Sequence, residues 1–160
     1  MSKQTKTNAL RLLDKAKIAY SVHEYHFDEN DLAATHVAEE LGEDISRVFK
    51  TLVLRGERTG LFVCVVPGDK EVDLKKAAHA AGDKKADLIA MKELLPLTGY
   101  IRGGCSPIGM KKLLPTFFHS TALDFDTIFV SAGIRGLQVE LSPAELIEFV
   151  RGNISDLIKE

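Results

Sequence analysis

Residues 47–67 read RVFKTLVLRGERTGLFVCVVP and carry the clearest strand signal in the chain. Two runs rich in Val, Phe, Thr and Leu, at 47–55 and 61–67, flank the sequence Gly-Glu-Arg-Thr-Gly. Runs of this kind on either side of a short glycine-containing loop are typical of a β-hairpin. The stretch therefore predicts two paired strands joined by a short turn.

Helices are predicted outside the hairpin wherever apolar residues recur with helical spacing next to capping residues. The C-terminal helix has the fullest signal, because Ser142, Pro143 and Glu145 combine an N-cap, a proline at the first helical position and a capping box. The predicted helices cover 9–17, 37–41, 74–81, 91–95 and 143–151.

Strand patterns punctuated by glycine dominate the second half of the chain. With the hairpin, they predict a largely antiparallel or mixed sheet with helices at both ends, which is an α+β fold whose sheet is partly wrapped by helices. Residues 28–34 are predicted to form a loop. The predicted strands outside the hairpin cover 20–27, 100–101, 115–119, 127–131 and 137–141.

The composition describes one soluble globular domain spanning residues 1–160. Hydrophobic residues make up 45% and charged residues 28% of the chain. No apolar stretch approaches the roughly 20 residues that cross a bilayer, and no secretory signal is present, so we expect a cytoplasmic protein without a membrane partner. Two cysteines are too few for a disulfide framework. The net charge of −2 provides no overall field that attracts polyanions.

Lys50 interrupts an apolar strand face, since the two-residue period places it with Val48, Leu52 and Leu54. Two interpretations are open. The lysine stem could pack on that face while its ammonium reaches water. Alternatively, the ammonium could lie at the mouth of a pocket and bind an anionic or carbonyl oxygen.

Residues 103–109 read GGCSPIG and form the first glycine-rich loop. Exposed amides in such a loop can bind an anion or form an oxyanion hole, although a plain turn between strands is the simpler interpretation. Cys105 could be a nucleophile, but no base lies beside it in the sequence, so a small buried residue is favoured. Ser106 lacks the Gly-x-Ser-x-Gly pattern of a hydrolase elbow.

A second glycine loop covers residues 130–136, where Ser131 could donate to a ligand and Arg135 could reach a phosphate. An ordinary hairpin turn explains the same residues. The five histidines are scattered, and no cysteine or carboxylate cluster completes a metal-binding set with them. We therefore expect no metal and no cofactor.

Three segments taken together resemble the YbaK/EbsC family of aminoacyl-tRNA deacylases. They are Val48-Phe49-Lys50-Thr51-Leu52, residues 98–109 with Lys111-Lys112, and residues 130–137. Residues 73–77 also match, and the order and spacing of all the segments agree. The chain is most similar to the YbaK branch, freestanding proteins that are similar to the editing insertion of bacterial prolyl-tRNA synthetases and hydrolyse Cys-tRNA(Pro).

The resemblance implies a compact, mixed, largely antiparallel and barrel-like sheet surrounded by helices, without a metal. It implies that Lys50 is essential for deacylation and that a pocket holds the aminoacylated terminal adenosine. The implied partner is the acceptor end of mischarged tRNA(Pro), with prolyl-tRNA synthetase as a second candidate. The residues implied to line or adjoin the pocket are Tyr25, Gly103, Gly104, Ser106, Pro107, Ser131 and Gly133.

The resemblance also suggests that the thiol of the bound cysteine attacks its own ester. Lys50 and the amides around Gly103 and Gly104 would then stabilise or orient that ester. Two alternatives stay open at this point. The same pocket could bind a nucleotide or the tRNA acceptor end without turnover, in association with prolyl-tRNA synthetase, or Cys105 could act as the nucleophile of a hydrolase.

Overall fold

The computed structural model describes residues 6–160, and its core is two β-sheets with short helices around them. The α-helices are α1 (Asn8–Lys15), α2 (Ala34–Leu41), α3 (Leu74–Ala80), α4 (Leu94–Thr98) and α5 (Pro143–Phe149). The strands are β1 (Tyr20–Glu24), β2 (Phe49–Gly56), β3 (Gly60–Pro67), β4 (Ala86–Leu88), β5 (Thr116–His119), β6 (Ile128–Ser131), β7 (Leu137–Leu141) and β8 (Asn153–Ser155). Short 3-10 turns cover Ile45–Arg47, Met91–Glu93 and Ser120–Asp124.

One sheet is antiparallel and the other is mixed, which confirms the α+β prediction. One has the strand order β1-β7-β6 and is antiparallel, and the other has the order β4-β2-β3-β5-β8. In the second sheet β5 runs parallel to both β3 and β8, whereas β2 is antiparallel to its two neighbours. A single parallel bridge between Val48 and Phe129 connects the two sheets. Within the described residues the strands do not close into a barrel.

The predicted hairpin is confirmed as β2 and β3, which pair in register from Phe49 opposite Pro67 to Gly56 opposite Gly60. Both faces of β2 are packed. Phe49 and Val53 belong to the largest core cluster, while Leu54 belongs to a second cluster under α3. This alternation is the two-residue period of a strand buried on both sides.

The capping signals also hold. The Asp73 side chain accepts hydrogen bonds from the first amides of α3, and the Ser142 hydroxyl accepts one from Glu145 at 3.3 Å. Pro143 opens α5, and Gly42 follows α2 with a φ of +67°. Side-chain acceptors satisfy amide donors that a helix N-terminus leaves unpaired. Because such residues are recognisable in the sequence, these helix boundaries could be predicted from it.

Several boundary predictions were wrong. The pair Tyr100-Ile101 forms no strand, and the strand predicted over 20–27 ends at Glu24. The helix predicted over 91–95 is a 3-10 turn followed by α4, which includes Pro96. Proline is tolerated there because it lies in the first turn of α4, where its missing N–H removes no helical hydrogen bond.

The sequence analysis missed two three-residue strands, β4 and β8. The loop predicted over 28–34 is present, except that Ala34 already begins α2. Within residues 6–160, no helix has both the length and the apolar character needed to span a bilayer.

Candidate active site

The main cavity, of about 410 Å³, lies where β2 has no strand beside it. The edge of β2 that faces away from β3 pairs with β4 only over Leu54–Gly56, and with β6 through the single bridge at Val48. The Val53 carbonyl accepts a hydrogen bond from Ile89 at 3.2 Å, so Val53 points its backbone polar groups toward this edge. By the two-residue period, the N–H and C=O of Thr51 point the same way, into the cavity region.

The cavity walls are mostly apolar, with a few polar groups among them. The walls are formed by β2, the 32–37 and 88–94 segments, the 102–105 loop, and one residue each from β6 and β7. The polar side chains in the wall belong to Lys50, Thr51, Arg102, Ser131 and Gln138. An apolar cavity with a few convergent polar groups is the usual form of a small-molecule site.

Lys50 is partly buried in this wall, directly opposite Val66 in the β2–β3 register. Burial lowers the pKa of its ammonium below the ordinary 10.5, and the carboxylates of Glu71 and Asp69 partly oppose that shift. Across residues 6–160, no carboxylate oxygen lies within 4 Å of its Nζ, and no acceptor hydrogen-bonds to it. A cation without a protein partner at the cavity wall is available to a ligand oxygen, and a ligand role for Lys50 stays a prediction.

Gly103 lines the same cavity, whereas Gly104 lies behind it. Gly103 has a φ of +86°, which favours glycine, and a Cβ at this position would lie 3.2 Å from Leu32 and 3.4 Å from Arg135. Gly104 is pressed against the backbone of Ile134, and its amide donates to the Ile101 carbonyl at 2.9 Å. The Gly104 amide is therefore already used within its own loop.

Ser106 and Pro107 are buried but do not line the main cavity. The Ser106 hydroxyl accepts a hydrogen bond from the Ile108 amide at 3.2 Å, which fixes the turn. Pro107 lines a second, smaller cavity of about 210 Å³. The first glycine-rich loop therefore contributes Gly103 and Cys105 to the main cavity and turns away from it afterwards.

In the second glycine loop, too, only some of the predicted residues line the main cavity. Ser131, only 7% exposed, lines the main cavity, while Gly133 lies behind it and donates its amide to the Ser131 hydroxyl at 3.1 Å. Tyr25 is partly buried next to the cluster of Val37, Val48 and other residues near α2, outside the lining. The structure thus brings Lys50, Gly103 and Ser131 together in one wall. Ligand contacts of Tyr25, Gly104, Ser106, Pro107 and Gly133 stay predictions.

Cys105 lines the cavity, but its thiol is poorly suited to attack. Burial raises the pKa of this thiol to about 12. Because the thiolate is the nucleophilic form, a thiol with this pKa is almost entirely unreactive at neutral pH. In residues 6–160, no three side chains among the His, Cys, Asp and Glu are arranged to hold a metal ion.

Two polar wall residues were not anticipated from the sequence. Thr51 Oγ1 and Gln138 Oε1 are buried without a hydrogen-bond partner in the described part of the chain. Gln138 is only 5% exposed, although strand alternation places it opposite the apolar Leu137 and Val139. Buried polar atoms are nearly always paired, so these two are candidates for pairing with a ligand.

Tyr100 was assigned to a strand, yet it connects the two glycine loops. Its hydroxyl donates to the Ile108 carbonyl, and its ring lies 3.2 Å from the position of a Cβ on Gly133. Burial raises the pKa of Tyr100 to about 12, so the hydroxyl stays protonated as a donor. The position of Tyr100 between Gly99 and Gly103, at the start of the first glycine-rich loop, is the signal that could have indicated this role.

Residues 29–149 match the aminoacyl-tRNA editing domain family, and the chain belongs to that family. It is 47% identical over 154 residues to EbsC of Enterococcus faecalis, covering 96% of this chain and 94% of that protein. The name of EbsC describes a candidate Cys-tRNA(Pro)/Cys-tRNA(Cys) deacylase.

Two further likenesses agree with this membership. A proline–tRNA ligase of Thermosipho africanus is 31% identical over 87 residues, which is 54% of this chain and 15% of the ligase. A crystal structure described as that of a candidate trans-editing enzyme for prolyl-tRNA synthetase superposes with a TM-score of 0.82 at 23% identity, covering 96% of this chain and 99% of the other. That likeness establishes the fold, which is the editing-domain fold implied by the resemblance.

Proposed function

We propose that this protein hydrolyses mischarged aminoacyl-tRNA, with Cys-tRNA(Pro) as its main substrate. Family membership supports aminoacyl-tRNA editing, and the name of EbsC supports this particular ester. The observation that carries the proposal is the unpaired, partly buried ammonium of Lys50 in a cavity that also contains Gly103 and Ser131. The cavity takes the esterified terminal adenosine.

A separate editing site compensates for the limited ability of a synthetase to distinguish amino acids of similar size. Cysteine and proline are close in size, and a binding pocket gains only about 1–3 kcal/mol of discrimination from a methylene-sized difference. A synthetase therefore benefits from a separate site that removes the wrong amino acid after transfer.

Lys50 supplies the electrostatic part of the reaction. Attack on the ester places negative charge on the carbonyl oxygen, and a positioned ammonium in an apolar wall stabilises that charge more strongly than it would in water. The open edge of β2 places the Thr51 amide on the same side as the cavity, where it adds a neutral donor. The Gly104 amide does not take this role, because it is bonded to Ile101.

The nucleophile is the substrate thiol. Its sulfur forms a bond to the ester carbonyl carbon, the bond from that carbon to the ribose oxygen breaks, and the thiol proton ends on the ribose hydroxyl. Water then opens the cyclic thioester to cysteine. An intramolecular attack needs no enzyme base and is favoured by proximity. The high pKa of the Cys105 thiol argues against that residue as an alternative nucleophile.

The test is incubation of the protein with tRNA(Pro) charged separately with labelled cysteine, alanine, serine and proline. We expect rapid loss of cysteine, little loss of proline, and survival of the serine ester, which lacks the sulfur. Lys50→Met keeps the length of the side chain without its charge and should lower the rate by at least roughly 100-fold. Lys112→Met, at an exposed lysine beside the second cavity, is the matched control and should keep the wild-type rate.

Full activity of Lys50→Met would contradict the role of the ammonium. Binding of the tRNA end without ester loss, for any of the four amino acids, would instead favour the non-catalytic module. Equal cleavage of the serine and cysteine esters would replace the substrate thiol with water as the nucleophile.

A further inference from the structure

Two arginines from different glycine loops meet at the rim of the main cavity. Arg102 lines the cavity and is exposed, and Arg135 belongs to the neighbouring glycine loop. The Arg135 Nε donates to the Arg102 main-chain carbonyl at 2.8 Å. This bond connects the two glycine loops and holds the Arg135 guanidinium against the Arg102 main chain.

Arg135 is held so that most of its donors stay free. Its side chain packs on Gly103, where a Cβ would lie 3.4 Å from both Cγ and Nε of the arginine. The single bond to Arg102 uses Nε, and neither Nη atom donates to another described residue. A guanidinium fixed by its stem loses little entropy on binding, and its Nη fork matches the oxygens of a phosphate.

Neither guanidinium has a carboxylate within 4 Å among residues 6–160. Arg47 differs, because it pairs with Glu43 and Glu140. Asp28 and Asp31, in the loop before α2, have contacts of their own within that loop and with α2. Asp28 accepts the Asn30 amide at 2.9 Å, and Asp31 lies 3.6 Å from the His36 ring.

The rim also exposes apolar side chains, which favours a nucleotide chain over a simple anion. Ile101 and Ile134 are the neighbours of the two arginines in sequence and are 44% and 40% exposed, and Met91 in the cavity wall is 60% exposed. Alternating cationic and apolar groups suit a single strand, whose phosphates meet the charges and whose bases cover the apolar surface. The net charge of −2 makes such a local site necessary for binding a polyanion.

We propose that Arg102 and Arg135 form a phosphodiester site that holds the nucleotides preceding the esterified adenosine. The site rests on the proposed function, since the adenosine in the cavity sets the direction of the strand. Through this site the protein binds the single-stranded 3′ end of an RNA, whichever amino acid is attached to that end.

The experiment measures binding of a fluorescent, uncharged oligoribonucleotide ending in CCA, by anisotropy at two salt concentrations. Arg102→Gln and Arg135→Gln should each weaken binding about five- to tenfold and reduce the salt dependence by about one charge. Arg102→Gln keeps the main-chain carbonyl that Arg135 binds, so its effect cannot come from loss of the connection between the loops. Arg58→Gln, at the exposed turn between β2 and β3, is the control and should bind like the wild type.

Adenosine without phosphate should bind all four proteins equally, and inorganic phosphate should not displace the RNA at equal concentration. Unchanged RNA affinity in Arg102→Gln and Arg135→Gln, or an equal loss in Arg58→Gln, would overturn the site. Displacement by inorganic phosphate would also overturn it, as a site for a free anion. The assay needs no turnover. Absence of deacylation would therefore contradict the proposed function, whereas the measured RNA affinities would still test the arginine site.

Discussion

The two cavities share one stretch of chain and differ in how their polar groups are satisfied. The main cavity takes Gly103 and Cys105 from the 103–114 segment, and the smaller one takes Pro107, Gly109 and the residues that follow. In the smaller cavity, Thr116 donates its hydroxyl to the Leu114 carbonyl at 2.9 Å. In the main cavity, Thr51 Oγ1 and Gln138 Oε1 have no partner within residues 6–160.

The difference favours the main cavity as the ligand site. Unsatisfied buried polar atoms reduce stability, so the two in the main cavity are candidates for pairing with a ligand. The main cavity adds an unpaired ammonium and an open strand edge to these atoms. The smaller cavity lies between α1, α5 and the glycine-rich segment, and the hydroxyl of Thr116 in its wall is already bonded within the chain.

Filling each cavity in turn is the strongest test of this comparison. Cys105→Phe places a ring in the main cavity and should lower the deacylation rate at least about 100-fold, because displacing a substrate by roughly 1 Å has effects of this size. Leu114→Phe fills the smaller cavity and should leave the rate within about twofold. Circular dichroism of both variants checks that they fold, and equal rates in the two folded variants would end the distinction between the cavities.

Tyr100→Phe tests the connection between the two glycine loops. The variant leaves the Ile108 carbonyl without its donor, which should lower the free energy of unfolding by about 1–3 kcal/mol. Urea denaturation with an unchanged m-value measures this loss. Tyr20→Phe removes an exposed bond to Asp14 instead and should have the smaller effect. A larger loss in Tyr20→Phe would show that Tyr100 does not stabilise the loops.

Local patterns predicted the parts of the fold that local physics decides. The β2–β3 hairpin, the N-caps of α3 and α5 and the glycine after α2 each depend on residues close together in the chain. The strand β8 could not be predicted in this way, because three residues around Ile154 become a strand only through pairing with the distant Phe118. Tyr100 was misassigned because strand propensity does not show a hydroxyl bonded eight residues away.

The residues of the candidate site also differ in whether the sequence alone could predict them. Lys50 was visible as a charge on an apolar strand face, and Gly103 and Ser131 as parts of glycine loops. Gln138 was not visible, since alternation places it on the polar face of β7 and only the packing of the two sheets buries it. Whether the β2 edge beside Thr51 is free likewise depends on which strands pair, and no local sequence pattern predicts that pairing.

Removing the Lys50 charge should separate stability from activity. Burial lowers the folded-state pKa, so the unfolded chain binds the proton more tightly, and the ammonium destabilises the fold at neutral pH. Lys50→Met should therefore raise the free energy of unfolding at pH 7 by less than about 1 kcal/mol, because water still screens this partly exposed group. The difference should shrink as the pH rises from the folded pKa to the ordinary value of 10.5.

Denaturation of both proteins at pH 7 and pH 10 measures this effect, with Lys112→Met as the exposed counterpart. A gain of the same size in Lys112→Met would mean that the charge at position 50 is solvated like any surface lysine. A loss of stability in Lys50→Met would mean that the ammonium has a favourable partner in the folded state.

Cys105→Ala should have the smallest effect, because the side chain contributes volume to the main cavity and no chemistry. Its thiol has a pKa of about 12, as does that of Cys64 in the second core cluster, so both should react slowly with iodoacetamide in the folded protein. We expect Cys105→Ala to deacylate Cys-tRNA(Pro) within roughly threefold of the wild-type rate, in line with the modest cost of a small core truncation. Rapid loss of activity on alkylation, absent in Cys105→Ala, would instead make this thiol a participant in the reaction and move the nucleophile from the substrate to the protein.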